Sequence, residues 1–435
     1  MQKFNGIEII GAGLAGCEAA NQISKRGINV RLYEMKPKKF SAAHTSPNFS
    51  ELVCSNSLKS NDPEKAAGIL KNEMLRLDSL ILESALKFQV SAGGALAVDR
   101  EEFSNYITKK INKNPLIEVI SEEFSEIPID IEKPLIISSG PLTSESLSNS
   151  IEKFCGTDSL SFYDSISPII LYDSLDSKSF FRASRYEEKQ ADYINCPLSE
   201  IEYKKFIAEL IASDKTEFHS FEKIKYFESC LPIEVMASRG EDTLRFGPMK
   251  PVGLIDPKTQ RRPYAVIQLR KENENESMWN IVGFQTKMKI NEQKRVFGII
   301  PALKKAEFLR FGSIHRNTYL NSPGILKNTL QTVKNPNVFI AGQLTGVEGY
   351  TESSAMGIVA GINASRVFNN HKPIEFPKTT AIGTLLNYLS ENTDKELQPM
   401  NINLGLFNIE KPKKNINKII NNSKNGMEEI INIIK

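Results

Sequence analysis

Ile7-Glu8-Ile9-Ile10-Gly11-Ala12-Gly13-Leu14-Ala15-Gly16, followed by an acid at Glu34, is the stretch whose reading decides the fold. The apolar run Ile7 to Ile10 predicts a strand, Ala12 to Lys25 a helix, and Asn29 to Glu34 a second strand. A strand, tight turn, helix and strand within about 30 residues is the opening of a parallel α/β sheet. The glycines have separate tasks: Gly11 permits the tight turn, Gly13 lets backbone approach a pyrophosphate, and Gly16 lets helix and strand pack closely. The helix N-terminus offers unpaired N–H groups and the positive end of its dipole to phosphate. Glu34, eighteen residues after Gly16, stands where an acid accepts a hydrogen bond from a ribose hydroxyl. Gly11, Ala12, Gly13, Leu14, Ala15, Gly16 and Glu34 are therefore candidate cofactor contacts, against the simpler reading of a tight structural turn.

A second glycine-rich segment, Phe339-Ile340-Ala341-Gly342-Gln343-Leu344-Thr345-Gly346, lies more than 300 residues downstream. It follows a strand-like run, Val338 to Ala341, and precedes a helix expected to start near Glu352. Two-part flavoproteins return to their sheet late, with a strand, a glycine turn and a helix whose N-terminus faces the flavin. A simple NAD dehydrogenase has no need of that return. FAD is therefore the favoured cofactor, and Gly342 and Gln343 join the candidate site. The expected fold class is α/β: a Rossmann-like FAD-binding domain formed by residues 1–190 and 325–435, with an inserted α+β domain at 191–324 that contacts the substrate. Ala66 to Phe88 reads as one amphipathic helix, Pro134 to Ser138 as a short strand, and Lys411 to Lys435 as a marginal helix.

The 435 residues, 40% hydrophobic and 25% charged, exclude collagen-like, coiled-coil and wholly disordered chains. No apolar run approaches the ~20 residues of a membrane span, so no membrane partner and a cytoplasmic location are expected. The five cysteines are odd in number and contain no CxxC pair, which argues against a disulfide framework or a zinc site; no metal is expected. Net charge is only +3, yet Met236 to Arg316 holds sixteen Lys/Arg against eight Asp/Glu, and the remainder is net negative. Its arginines are interleaved with aromatics, as in Arg245-Phe246 and Arg310-Phe311. Guanidinium groups grip phosphates and aromatic faces stack on unpaired bases, so the stretch is a candidate RNA surface. A solvated face and an anionic cofactor compete for the same charges. Neutralising Arg295 or Arg310 is expected to weaken RNA binding while leaving FAD bound, against the competing reading that several of the stretch's arginines pair with Glu241, Asp242 or Glu307 in the same domain.

Two cysteines stand in unusual company. Cys54 lies in the polar segment Phe49-Ser-Glu-Leu-Val-Cys-Ser-Asn-Ser-Leu-Lys-Ser60, and Cys230 lies beside the basic stretch. A thiol near Arg or Lys can become a competent nucleophile, while any one cysteine taken alone reads as a small buried hydrophobe. Cys17, behind Gly16, reads as packing, and Cys155 and Cys196 have no supporting neighbours.

The segments Gly11 to Gly16, Tyr33-Glu-Met-Lys-Pro37, Glu51 to Ser60, Ala92 to Arg100, Cys230 to Gly253, Gln268-Leu-Arg270, Asn280 to Lys287, Arg310 to Tyr319 and Phe339 to Gly349 together resemble the folate- and FAD-dependent tRNA uracil-5-methyltransferases, the TrmFO family. They run in the family's order across residues 6 to 365; the departures lie at Asp158 to Glu222, Glu272 to Met278 and after Asn369. The resemblance implies a methyltransferase that takes a one-carbon unit from 5,10-methylenetetrahydrofolate, uses FAD, draws electrons from NADH or NADPH, and delivers the carbon to C5 of a T-loop uridine in tRNA. It implies Cys230 as the thiolate that adds to uracil C6, and Cys54 as a second functional cysteine near the flavin. It needs no S-adenosylmethionine, and a monomer is expected. The alternatives are the same chemistry on a ribosomal RNA uridine, a flavin oxidoreductase of a small molecule, and a noncatalytic RNA-binding protein that keeps FAD for stability.

Overall fold

A computed structural model describes residues 4–41, 43–156, 160–185, 191–216, 231–391 and 397–434. Its first layer is a five-stranded parallel sheet of β1 (Ile7–Ile10), β2 (Val30–Tyr33), β3 (Ile117–Ile120), β4 (Leu135–Ile137) and β5 (Val338–Ile340), in the spatial order β5-β4-β1-β2-β3. Ile9 pairs with Leu32 on one side and Ile136 on the other, and all three are fully buried. Both faces of β1 are covered, which is why it reads as a continuous apolar run rather than an alternating one. From β1 the chain moves outward through β2 to β3, then crosses back to β4 on the opposite side. That reversal opens a crevice beyond the carboxyl ends of β1 and β4, the place where open α/β sheets bind ligands.

Two helices pack together behind that crevice: α1 (Leu14–Ser24) and the late helix α2 (Tyr350–Phe368). Their approach needs glycine. A Cβ on Gly357 would lie 2.2 Å from the Ala15 carbonyl oxygen, and one on Gly361 would lie 2.8 Å from that of Ala19. The late glycines thus serve helix packing as well as the turn at Gly342, whose φ of +77° suits glycine.

The stretch Ala66 to Phe88 departs from the expected single helix. It forms two, Ala66–Arg76 and Leu80–Lys87, broken at Asp78, where φ is +55°. Ser79 caps the second by accepting from the Leu82 N–H, while the buried Glu18 carboxylate of α1 accepts from the Leu80 and Ile81 N–H groups at 3.0 Å. A partner more than 50 residues away therefore ends one helix and starts the next. The tail forms a 19-residue helix, Ile416–Ile434.

The second layer is a six-stranded antiparallel sheet, ordered Phe181–Arg182, Tyr193–Leu198, Ala265–Lys271, Met278–Ile281, Ile169–Leu171 and Phe308–Arg310. It takes strands from both sides of residue 190. Its core joins the sheet to the helices Glu200–Ala212, Ile233–Ser238 and Ile290–Phe297 through Trp279, Tyr203, Phe206, Phe284 and Phe297. Among the described residues no helix is long and apolar enough to cross a membrane.

Candidate functional site

The crevice beyond β1 and β4 is lined by Gly11, Ala12, Gly13, Leu14 and Ala15 on one wall and by Gly342, Gln343, Tyr350 and Ser353 on the other, with Glu34 and Ser139 at one end. Every glycine-motif candidate except Gly16 faces it. Gly16 packs instead: a Cβ there would fall 1.8 Å from the Gly11 carbonyl oxygen. Gly11 has φ +94°, a conformation glycine adopts without strain. A Cβ on Gly13 meets no atom within 4 Å, so that backbone is bare on the crevice side. α1 begins with no side-chain cap and no acid in its first turn. Its first N–H groups and dipole are left for an anion, and the residues present fit a dinucleotide pyrophosphate. The Glu34 carboxylate accepts from the Ala12 N–H at 2.9 Å and the Lys36 N–H at 3.0 Å. These bonds aim it into the crevice mouth while leaving acceptor capacity for a ribose hydroxyl.

Val53, the residue before Cys54, lines the same crevice. The Cys54 loop is pinned by side chains from three distant parts of the chain. The Tyr350 hydroxyl, at the start of α2, accepts from the Cys54 N–H at 2.8 Å and the Ser55 N–H at 3.1 Å. Burial, and after it the nearby Cys54 thiol, pushes the Tyr350 phenol up, which keeps it a neutral hydroxyl. Arg270, on the antiparallel sheet and 8% exposed, donates to Asn56 Oδ1 at 3.0 Å and Ser55 Oγ at 2.7 Å. Arg100 donates to the Leu52 carbonyl at 2.7 Å and grips both Glu272 oxygens, at 2.5 and 3.1 Å. Asn56 Nδ2 adds bonds to the Val98 and Lys271 carbonyls. The charges of Arg100, Arg270 and Arg310 all lie within electrostatic reach of the Cys54 thiol. The two sheets therefore meet across the Cys54 loop.

Cys230 falls outside the described residues. Cys17 is buried, donates to the Ala12 carbonyl at 3.4 Å, and has its thiol pushed up to about 12 by burial. Burial likewise raises Cys155 to about 11 and raises Cys196. Among the described residues no group of three His, Cys, Asp or Glu is arranged to hold a metal ion.

Sequence reasoning gave no role to Tyr350, Arg100 or Asn56 and counted Arg270 only among the arginines of the basic stretch. Arg100 and Arg270 each close a segment that carried the resemblance, and Tyr350 stands one residue beyond another; their partners in the fold were the missing information. The basic stretch is also sorted by the structure. Arg295 is held by Glu292 and Glu209, and Arg310 is turned inward to the Ala43 carbonyl. Arg295 stays exposed in these surface ion pairs, and of the acids considered for the stretch's arginines Asp242 does take one, Arg245, at 2.7 Å.

The wider relationships agree with this geometry. A relative from Geotalea uraniireducens, named methylenetetrahydrofolate–tRNA-(uracil-5-)-methyltransferase TrmFO, is 55% identical over 402 residues, covering 92% of each chain. The chain belongs to the TrmFO family. Relatives of the same name from Heliobacterium modesticaldum and Enterococcus faecalis are 54% and 53% identical over 401 residues, covering 92% of this chain and 91% and 92% of their own. Residues 6–372 match the broader family described as glucose inhibited division protein A. The structure of Aquifex aeolicus GidA superposes with a TM-score of 0.71 over 98% of this chain and 73% of that one, at 16% identity, and so shares the fold. Membership places the crevice in a flavoprotein family.

Proposed function

We propose that this chain is a cytoplasmic enzyme that methylates C5 of a T-loop uridine in tRNA, taking the carbon from 5,10-methylenetetrahydrofolate with FAD as cofactor and NADH or NADPH as reductant. The observation that carries the reading is the attachment of the Cys54 loop to the wall of the dinucleotide crevice by Tyr350. A thiol beside a flavin cradle suits a reaction needing both, and the relatives bear the name of that reaction.

Bound FAD would supply redox chemistry and carriage of the one-carbon unit. The chain's own residues supply the rest. Gly11, Gly13 and the first turn of α1 would hold the pyrophosphate, and Glu34 would orient the adenosine ribose. Gly342, Gln343 and Tyr350 line the opposite wall and would contact the rest of the cofactor. Uracil C5 is a weak nucleophile until a thiolate adds at C6 and turns C4–C5 into an enolate; we assign that addition to Cys230. Cys54, held by Tyr350, Arg270 and Arg100, serves at the flavin side as a base or as a guard of the nucleophile.

The direct test is incubation of the purified protein with transcribed tRNA, methylenetetrahydrofolate and NADPH, followed by mass spectrometry of the nucleosides. Formation of 5-methyluridine at one T-loop position is expected. Flavin-dependent NADPH oxidation with unmodified RNA would overturn the reading in favour of a small-molecule oxidoreductase.

A further inference from the structure

We propose that Phe246 is a base-stacking residue of the RNA-binding face, with Lys250, Arg261 and Arg262 contacting phosphates around it. This rests on the RNA-methylating reading above and goes beyond it by naming where an unpaired base is held.

Phe246 is 85% exposed, whereas Leu244, two residues earlier on the same short helix (Thr243–Phe246), is fully buried. A single exposed apolar side chain is ordinary; this one is held out on a braced support. Arg245 lies 3.7 Å over the Tyr264 ring, donates to the Tyr264 carbonyl at 3.1 Å, and is tied to Asp242 at 2.7 Å. Beyond Gly247 the chain folds back, with the Met249 N–H on the Leu244 carbonyl at 2.8 Å and the Val266 N–H on that of Met249 at 3.0 Å. Arg185 braces the next turn through the Lys250 and Val252 carbonyls. A ring presented on so fixed a support loses little freedom when a partner covers it.

The surroundings point to a nucleic acid. Val252 and Ile255 are half exposed beside the ring in sequence, and the following turn closes through the Asp256 N–H on the Arg261 carbonyl at 3.0 Å. Within the basic stretch, Arg245, Arg270, Lys271, Arg295 and Arg310 have side-chain partners, and Lys258 bonds the Lys178 carbonyl. The side chains of Lys250, Arg261 and Arg262 have no hydrogen-bond or ion-pair partner among the described residues. Unpaired cations carried in the same exposed segment as a projecting aromatic match a flexed polyanion with a splayed base, whereas a protein partner would favour a continuous apolar patch.

The test measures equilibrium binding of an unmodified tRNA transcript to the FAD-bound full chain over a range of salt. Phe246→Ala is expected to weaken binding by about 5- to 150-fold, the range for removing one base–aromatic stack, without changing the salt dependence. Phe246→Trp is expected to restore affinity, a rescue that mere loss of bulk from a surface would not show. Arg261→Gln with Arg262→Gln should instead flatten the slope of log affinity against log salt by roughly 0.7 to 0.9 for each phosphate no longer neutralised. The proposal is overturned if Phe246→Ala binds like the parent, if Phe246→Trp is as weak as alanine, or if the double arginine change leaves the slope intact. If the parent enzyme binds and methylates tRNA in those cases, only the stacking assignment falls. A parent that neither binds nor methylates tRNA ends both readings.

Discussion

Gly13 and Gly16 lie three residues apart in one motif, and the structure predicts opposite failures when each acquires a side chain. At Gly13 the backbone has φ −75°, which any residue adopts, and a Cβ meets nothing within 4 Å. Gly13→Val should therefore leave the flavin-free fold within about 1 kcal/mol of the parent, since glycine is only a modest helix cap. Its isopropyl group would fill the space that the pyrophosphate needs. If that removes two charge-assisted N–H bonds worth ~1.5–3 kcal/mol each, FAD affinity falls by roughly 10²- to 10⁴-fold. At Gly16 a Cβ would lie 1.8 Å from the Gly11 carbonyl, more than an ångström inside the closest tolerated approach of 3.0 Å. Backbone must move on a fully packed face, at a cost on the order of 3 kcal/mol or more. Denaturant melts of each variant, with and without added FAD, separate the two. Gly13→Val should melt normally without FAD and gain nothing from it, while Gly16→Ala should melt early in both conditions. FAD bound to Gly13→Val with parental affinity would refute the placement of the pyrophosphate. An early flavin-free melt of Gly13→Val would refute the claim that this backbone is bare.

Cys230→Ala should abolish methylation with FAD retained, and tRNA carrying 5-fluorouracil at the target should trap the parent covalently but not this variant; gel-shift under denaturing conditions reads the adduct, and its survival without Cys230 would reverse the assignment. Cys54→Ala should be impaired yet still form the adduct. Arg270→Ala removes two bonds to the Cys54 loop and should lower kcat more than affinity for tRNA, with Arg270→Lys recovering little because lysine cannot span Ser55 and Asn56 as a fork. Burial raises the carboxyls of Glu18 and Glu73 to about 7, against which Ser79 and Ser423 respectively act as hydrogen-bond donors. With the folded value above the unfolded one, their contribution to stability is complete below about pH 4.5 and is lost as pH rises through about 7, on the order of 3 kcal/mol for each group. Glu18→Gln and Glu73→Gln should each flatten that decline in urea melts, and an unchanged pH slope would count against the burial argument.

The cradle was legible because everything that makes it is local. Strand, turn, helix and acid fall within residues 7 to 34, so period, glycine spacing and the position of Glu34 state the geometry before any long-range pairing forms. The late return at Gly342 was legible for the same reason, as a strand and glycine turn in sequence. What lies around Cys54 was not, because its determinants are far apart: Tyr350 reaches it across 296 residues, and Arg270 reaches Ser55 across 215. The break at Asp78 and Ser79 was hidden likewise, since helical periodicity continues through it and only Glu18, arriving from α1, supplies the competing hydrogen bonds. Charge shows the limit most plainly. Arg295, Arg310, Arg261 and Arg262 are equivalent as letters in a basic stretch, but Arg295 is paired with Glu209 and Glu292, Arg310 bonds the Ala43 carbonyl, and Arg261 and Arg262 face solvent with no side-chain partner among the described residues. Sequence determines how much charge a segment carries and what backbone it can form; which of those charges are already paired is decided by the acids and carbonyls that folding brings beside them, because a guanidinium donor bonded to a carboxylate or carbonyl is not at the same time bonded to a phosphate.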